Sequence, residues 1–375
     1  DKPDKGDYFK YCGQRFWEFI SGDSNLYTEI IEPLGYKAKE KKAVKRSKKP
    51  AKAAKAPAKT PKKAAKKQPK PPYRTSTLQQ DANSRLGYSS KQTMRLAQQL
   101  YEGVKLGKGG MTGLITYMRT DSFNLSPEFL SEANAYVHET FGAEYTLDKP
   151  RVFKTKSKGA QEAHEAIRPT DPTRTPESIK DHLDARQYKL YDLIWRRAVA
   201  TQMAEAKLTK EKVVMSSDVG SFRTTGSVIA FPGYLKLYPD TTKEVVLPGM
   251  NEGDAVELAS LEPKQHFTEP PARYSDATLV KELEEHGIGR PSTYAPTIST
   301  IIDRNYVERD DNKRLAPTDI AYTVNDLLVE HFTHIVDKDF TAEMEQKFDD
   351  IEEGTVEWVP VMMVMIVDMV TAMMR

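Results

Sequence analysis

The feature that most constrains the fold is a run of Lys, Ala and Pro across residues 37–72, which contains almost no large apolar side chain. A segment with so little apolar surface to bury cannot offset the entropy that folding removes. The sequence therefore predicts a disordered basic linker at 37–72. Residues 1–36 are too few for a core of their own and form an unassigned segment.

The same run hides the charge of the remaining chain. Residues 37–70 hold 16 of the 56 Lys and Arg residues and one acid, Glu40, so 40 basic and 53 acidic residues remain elsewhere. Because the chain outside 37–70 is acidic overall, it can bind nucleic acid only through locally placed Arg and Lys. The run itself fits a solvated linker that has, as a secondary role, sequence-independent affinity for DNA.

The ends of the sequence indicate an intracellular fragment. Cys12 is the only cysteine, which excludes an internal disulfide and a four-cysteine zinc ribbon and fits a cytoplasmic location. No secretory signal and no initiating Met are present, so we interpret the chain as a fragment. The Met-rich tail at 359–375 is shorter than the roughly 20 apolar residues that span a membrane. We expect no membrane segment there; a final core helix and a chance end are the alternatives.

Periodicity divides the rest into helical and β-rich parts. Apolar residues at helical spacing predict helices that include 126–141, 160–167 and 184–206, while short apolar runs separated by Gly, Pro and Asp follow from about Lys212. We predict an α+β multidomain chain with a helical domain at 73–205, a β-rich arch at 206–275 and a second helical domain at 276–358.

The segment GLITYMRTDS, residues 113–122, places a tyrosine beside a cation. Its composition predicts a short strand, whose two-residue period puts Tyr117, Arg119 and Asp121 on one face. A tyrosine hydroxyl has a reference pKa of about 10, so a nucleophilic tyrosine needs a nearby cation or base. The fork of Arg119 suits two phosphate oxygens. Taken alone, this spacing more often marks a packing pair.

Two further strings are candidate phosphate sites. In QEAHEAIRPT, at 161–170, a helix would put His164 and Arg168 on one face, although plain salt bridges with neighbouring acids explain it as well. In GIGRPSTYA, at 287–295, Arg290 precedes a helix predicted to begin at Pro291, with Ser292 and Thr293 in its first turn. A capped turn between helices is the alternative. No nucleotide-binding motif occurs, which disfavours ATP.

Five strings in this order, TSTLQQ, AQQLYEG, ITYMRTDS, QEAHEAIRPT and PPARYSDATLVKELEEHGIGRPSTYA, resemble the bacterial type IA DNA topoisomerases, in their topoisomerase I branch, from about Tyr73 to Glu353. The resemblance implies a ring built from a helical tyrosine domain, a β-rich arch and a helical return domain. It also implies that Tyr117 attacks DNA and becomes linked to a 5′ phosphate. Arg119 and His164 would be its catalytic partners, and the implied DNA contacts are Arg168, Arg290, Ser292 and Thr293.

The resemblance also implies partners and a cofactor. The substrates would be single-stranded and negatively supercoiled DNA, acted on by a monomer in the cytoplasm at the nucleoid. Mg²⁺ is expected in the complete enzyme, held by an N-terminal toprim domain that 1–72 does not match, so this chain would supply no metal ligand and would lack that domain. ATP is not needed, because a phosphotyrosine conserves the bond energy for resealing.

Two alternatives follow from the same residues. A chain without the toprim half would be a non-catalytic module that binds single-stranded DNA through its Arg and His residues and its basic run. A recombinase-type tyrosine enzyme is disfavoured, because the dispersed Arg and His pattern near a C-terminal tyrosine is not found.

Overall fold

The computed structural model describes residues 55–107, 110–153, 164–217, 220–239, 243–257, 260 and 262–373. The chain forms two compact units. One contains Leu208–Ala230 and Lys243–Arg273 with the described residues before Lys66, and the other contains Lys66–Lys207, Phe231–Thr242 and Tyr274–Arg375. The described residues do not include 1–54. The unassigned segment 1–36, with Cys12, and the basic run up to residue 54 therefore lie outside them.

The strands are β1 (Lys55–Lys67), β2 (Val104–Lys105), β3 (Met111–Thr112), β4 (Ala206–Ser217), β5 (Gly220–Phe231), β6 (Val307–Arg309) and β7 (Leu315–Pro317). The α-helices are α1 (Thr75–Leu86), α2 (Ser90–Glu102), α3 (Pro127–Phe141), α4 (Ala185–Thr201), α5 (Asp276–Glu285), α6 (Tyr294–Asp303), α7 (Asp319–His331), α8 (Lys338–Glu352) and α9 (Trp358–Met373). Strands β1, β4 and β5 form one sheet in that order, and β2–β3 and β6–β7 are antiparallel pairs. This mixture confirms the α+β prediction.

Strand β1 corrects part of the predicted linker. Lys55–Lys67 lies at the edge of the three-stranded sheet, beside β4, although the prediction made all of 37–72 disordered. The prediction considered only side-chain burial, whereas strand pairing uses backbone N–H and C=O groups that every composition supplies. Pro57 and Pro61 are compatible with this position, because an edge strand leaves half of its N–H groups outside the ladder.

Most predicted helices are present, with shifted ends. Ser89 caps α2 by accepting a hydrogen bond from the Gln92 N–H, Ser126 caps α3 and Ser275 caps α5. The helix predicted at 184–206 ends at Thr201, because the chain turns there into β4. In the predicted β-rich region, the run YLKLY forms a 3₁₀ helix at Gly233–Lys236 instead of a strand.

The tail forms helix α9, whose described side chains are mostly exposed. Trp358 is 62% and Met363 57% exposed, and Val361 is buried. These exposures do not fit the alternative of a final core helix. In the part of the chain that the structure describes, no helix is both long and apolar enough to cross a membrane.

Candidate functional site

The tyrosine segment does not form the predicted strand, because the chain bends at Thr116, Met118 and Arg119. Ile115 forms a single antiparallel bridge with Pro169, the Thr116 N–H donates to the Arg168 carbonyl at 2.9 Å, and no ladder continues beyond them. The Arg168 N–H, which would continue the pairing, donates to the Thr116 hydroxyl at 3.0 Å instead of to a backbone carbonyl. From Met118 onward, the backbone groups bond instead to Thr75, the first residue of α1.

Thr75 clamps the segment just after Tyr117. Its hydroxyl lies 2.7 Å from the Met118 carbonyl oxygen, to which it donates, and accepts from the Thr120 N–H at 2.9 Å. Its own N–H donates to the Thr120 carbonyl at 2.9 Å. Met118 and Thr120 are buried, 1% and 3% exposed, whereas Arg119 between them is exposed. The alternation of buried and exposed side chains that was predicted for a strand therefore results from the hydrogen bonds to Thr75. Tyr117 and Arg119 share the more open face.

Two aromatic rings flank Tyr117. The Tyr101 ring packs edge-on at 5.4 Å between centroids, and the His164 ring lies tilted at 5.3 Å. Gly113 allows the tyrosine segment to pass close to the backbone of Tyr101. A Cβ at this position would lie only 2.8 Å from the Tyr101 carbonyl oxygen. The Nδ1 atom of His164 is buried and has no hydrogen-bond partner among the described residues. A buried polar atom of this kind is stabilised by any ligand atom that pairs with it.

The region around His164 corrects a helix prediction. Residues 164–168 are not helical: Ile167 is bridged to Tyr73 and the Ala166 N–H is bonded to the Asn124 carbonyl at 2.8 Å. These backbone groups bond to distant segments rather than four residues along, so His164 and Arg168 do not share a helix face. Residues 160–163 of the predicted helix lie outside the described part.

Arg168 belongs to the scaffold of the site. It forms a two-bond ion pair with Glu165, 2.7 and 2.8 Å long, donates to the Pro169 carbonyl at 3.0 Å and stacks over the Phe129 ring. Only 11% of its side chain is exposed. Burial alone would raise the pKa of Glu165, but hydrogen bonds from Arg168 and Ser126 outweigh it and lower that pKa. The DNA contact predicted for Arg168 therefore has few donors left to make it.

Replacing Arg168 with Ala is expected to lower the free energy of unfolding by about 2–4 kcal/mol, because Glu165 would lose its counter-charge in a partly buried place. The difference from wild type should shrink as the pH falls, since a depressed Glu pKa stabilises the fold above the ordinary Glu range and protonation removes that contribution. Urea unfolding followed by the fluorescence of buried Trp195 measures both. Arg119→Ala is the matched control; equal midpoints for the two variants would contradict this role of Arg168.

Arg119, unlike Arg168, is available to a ligand. Its side chain is exposed and has no ion-pair or hydrogen-bond partner among the described residues. It is two residues from Tyr117 on the same open face. A guanidinium in this position keeps all of its donors for a ligand such as a phosphate.

The GIGRPST loop is a compact turn that holds its arginine inward. Arg290 makes two hydrogen bonds to Asp349, at 3.1 and 2.7 Å, and donates to the Gly289 carbonyl at 2.8 Å. Gly289 has φ +80°, and an added Cβ would lie 3.1 Å from the Tyr294 ring. Burial lowers the pKa of Arg290, but the Asp349 carboxylate outweighs it and raises that pKa.

The helix predicted to begin at Pro291 begins at Tyr294 instead. Residues 291–293 form a turn because the Thr293 hydroxyl accepts the Arg290 N–H at 2.8 Å and the Thr293 N–H returns to the Arg290 carbonyl at 2.9 Å. Ser292 and Thr293 are exposed. The sequence predicted a phosphate contact at both residues, but the Thr293 hydroxyl is bonded to the Arg290 backbone within the turn.

Asp121, in the tyrosine segment, is influenced by the charges of this loop. The pKa of Asp121 is raised overall, mainly by burial. The negative charge of Asp349 adds to this increase, while the positive charges of Arg74 and Arg290 oppose it. These effects place the Arg290 ion pair within electrostatic range of the segment that carries Tyr117. All seven predicted site residues thus lie in one compact unit, in which Arg168 and Arg290 are internally paired and Arg119 is open.

Sequence reasoning missed two residues that build the site, Thr75 and Tyr101. Both occur in strings that carried the resemblance, TSTLQQ and AQQLYEG, and this was the available signal. Among the described residues, no group of three or more His, Cys, Asp or Glu side chains could hold a metal ion. The described donor set therefore does not fit a magnesium site.

Comparisons with known proteins agree on one family. Residues 11–363 match the profile of a family described as DNA topoisomerase. The chain is 46% identical over 306 residues to "DNA topoisomerase 1" of Xylella fastidiosa strain 9a5c, covering 79% of this chain and 37% of that protein. It is 48% identical over 290 residues to "DNA topoisomerase 1" of Campylobacter jejuni, covering 77% and 41% respectively.

A solved structure also matches. The full-length topoisomerase I from Thermotoga maritima aligns with a TM-score of 0.77 and 36% identity, covering 85% of this chain and 52% of that one. The chain thus spans about two fifths of the length of the curated relatives and about half of the solved one.

Proposed function

This chain belongs to the bacterial type IA DNA topoisomerase family, and we propose that Tyr117 is the nucleophile that cleaves one DNA strand. The observation that carries the proposal is the open face shared by Tyr117 and Arg119, whose guanidinium has no partner among the described residues, with the His164 ring beside Tyr117. A tyrosine, a free guanidinium and an imidazole are the groups that phosphoryl transfer to a phenol requires.

In the proposed step, the phenolic oxygen of Tyr117 attacks phosphorus and the bond from phosphorus to the 3′ oxygen breaks. The tyrosine loses its proton, and the departing 3′ oxygen takes one up. One phosphodiester is exchanged for another, so attack by the 3′ hydroxyl reseals the strand without a nucleotide cofactor. Arg119 stabilises the negative charge that develops on the phosphate oxygens.

His164 serves the same phosphate. Its ring lies beside that of Tyr117, where an imidazole can hydrogen-bond a phosphate oxygen or take part in moving the tyrosine proton. Ser292 and Thr293 extend the contact along the DNA backbone, supported by the exposure of both residues. Arg290 contributes its charge from within its pair with Asp349.

The activity of the whole enzyme forms part of the same proposal. Strand passage through the cut would relax negatively supercoiled DNA, with a monomer acting in the cytoplasm at the nucleoid, where bacterial DNA lies. Mg²⁺ would act in the complete enzyme through ligands outside the described residues, as the toprim domain of the family implies. The roles proposed for Tyr117, Arg119 and His164 do not involve the metal.

A covalent capture assay tests this function and its alternative. The chain is incubated with a single-stranded oligonucleotide labelled at its 3′ end, with Mg²⁺, and then denatured. Because the fragment held by tyrosine carries the 3′ label, a labelled band at the size of the protein supports cleavage. Binding of the oligonucleotide without a covalent band would instead favour the non-catalytic DNA-binding module.

A further inference from the structure

The first turn of α1 contacts two parts of the site from opposite sides. On one side, Thr75 holds the carbonyl of Met118 and both backbone groups of Thr120. Its two neighbours in sequence, Arg74 and Ser76, contact a different element. A displacement of this one turn would therefore move the tyrosine segment.

The second contact is Glu284, near the end of α5. The Ser76 hydroxyl donates to Glu284 Oε1 at 2.7 Å, and Arg74 forms an ion pair with the same oxygen. Gln80, one turn further along α1, reaches Oε2 at 3.5 Å. The side chains of Arg74 and Glu284 are only 24% and 22% exposed, so water screens their attraction weakly. This ion pair is therefore stronger than a surface pair.

The backbone of Glu284 leads directly into the GIGRPST loop. Its carbonyl accepts the Gly287 N–H at 3.1 Å, and the Leu283 carbonyl accepts the Ile288 N–H at 2.8 Å. Arg290 follows two residues later. Burial, and then the negative charge of Glu284, raises the pKa of Tyr294, the first residue of α6, to about 12.

We infer that Glu284 is a positioning residue, which fixes the tyrosine segment relative to the Arg290 loop through the first turn of α1. The inference rests on the proposed function, because those are its two predicted phosphate-binding parts. Glu284 itself touches neither Tyr117 nor Arg119 in any described contact. Its effect passes through Ser76 and Arg74 to Thr75, and from Thr75 to Met118 and Thr120.

Loss of Glu284 should loosen this connection without unfolding the helices. Helices α1 and α5 are also joined by the Ala277 N–H, which donates to the Asn83 side chain at 3.2 Å, and Val280 of α5 is fully buried in an apolar cluster with Tyr294 and Ile298. Removing the carboxylate leaves Arg74 without its counter-charge and frees Ser76. The weakened part is the first turn of α1.

Amide hydrogen exchange of the whole chain tests the inference. In Glu284→Ala, the amides of Thr75 and Thr120, which bond across the clamp, should exchange about ten-fold faster. Glu285→Ala is the matched control, because Glu285 pairs only with Lys281 among the described contacts and both side chains are more than half exposed. The Ile194 amide in α4 reports any opening of the whole unit.

Faster exchange at Thr75 and Thr120 in Glu284→Ala, with Ile194 unchanged and Glu285→Ala like wild type, is the expected result. Equal exchange in the two alanine variants would overturn the inference. If Glu284→Ala also speeds exchange at Ile194, Glu284→Gln decides: this variant keeps an acceptor for Ser76 but loses the charge that holds Arg74. Unchanged Thr75 and Thr120 amides in Glu284→Gln would then overturn it.

Covalent capture provides the functional readout. Glu284→Ala should slow adduct formation about ten-fold while the Kd for the oligonucleotide changes less than about two-fold, and Glu284→Gln should restore part of the rate. An equal loss of binding would contradict a positioning role. If Tyr117 forms no adduct, the proposed function fails while the exchange result still stands, so the two failures are distinguishable.

Discussion

Tyr117→Phe is expected to abolish covalent capture of DNA while leaving the Kd for single-stranded DNA within about two-fold of wild type. Phenylalanine keeps the ring that packs against Tyr101 and His164 but lacks the oxygen that would bond to phosphorus. The measurement compares the covalent band and fluorescence anisotropy on the same oligonucleotide.

The matched control is Tyr188→Phe. It removes the same atom from a tyrosine of the same unit, whose hydroxyl bonds to Glu177 on the exposed surface of α4. This variant should form the adduct at the wild-type rate. A covalent band that persists in Tyr117→Phe would show that another residue is the nucleophile.

Arg119→Ala should give the second-largest effect, a loss of roughly 100- to 1000-fold in the rate of adduct formation with less than about five-fold weaker DNA binding. The side chain is exposed and forms no ion pair or hydrogen bond with the residues that the structure describes, so its loss should be felt mainly at the phosphate under attack. Single-turnover adduct formation and anisotropy separate the two quantities.

Arg119→Lys tests what kind of cation is needed. Lysine keeps the charge but not the planar fork, so we expect it to recover only part of the lost rate. Rates and affinities that fall by the same factor in Arg119→Ala would instead assign Arg119 to ordinary ground-state binding.

The sequence predicted which residues face outward around Tyr117, but not the reason. Alternation of apolar and polar residues marked Tyr117 and Arg119 as neighbours on one face, and the structure keeps that face. The predicted strand is absent because Met118 and Thr120 bond to Thr75, some 45 residues earlier in the chain. A local pattern carries no information about such a distant partner.

The three candidate arginines also could not be ranked correctly without knowledge of distant partners. In sequence, Arg119, Arg168 and Arg290 were all candidates for phosphate binding, Arg119 as a catalytic partner and the other two as DNA contacts. The structure separates them by their partners: Arg290 is paired with Asp349, which lies 59 residues away, and Arg168 is enclosed by Glu165 and Phe129. Charge and spacing cannot distinguish an available guanidinium from a neutralised one.

The basic run shows a different limit. Its composition predicted disorder from the lack of apolar surface, yet Lys55–Lys67 pairs with β4 through its backbone. Helix positions were easier to predict, because caps such as Ser89 and Ser275 lie next to the helices that they begin.

Mapping the residue that carries DNA tests the central claim most directly. The trapped adduct is digested with nuclease and trypsin, and its peptides are identified by mass spectrometry. Trypsin releases residues 109–119, a peptide in which Tyr117 is the only tyrosine, and residues 96–105, in which Tyr101 is the only one. We predict a nucleotide on the peptide 109–119 at Tyr117. A nucleotide on 96–105, or on any other peptide, would contradict the assignment.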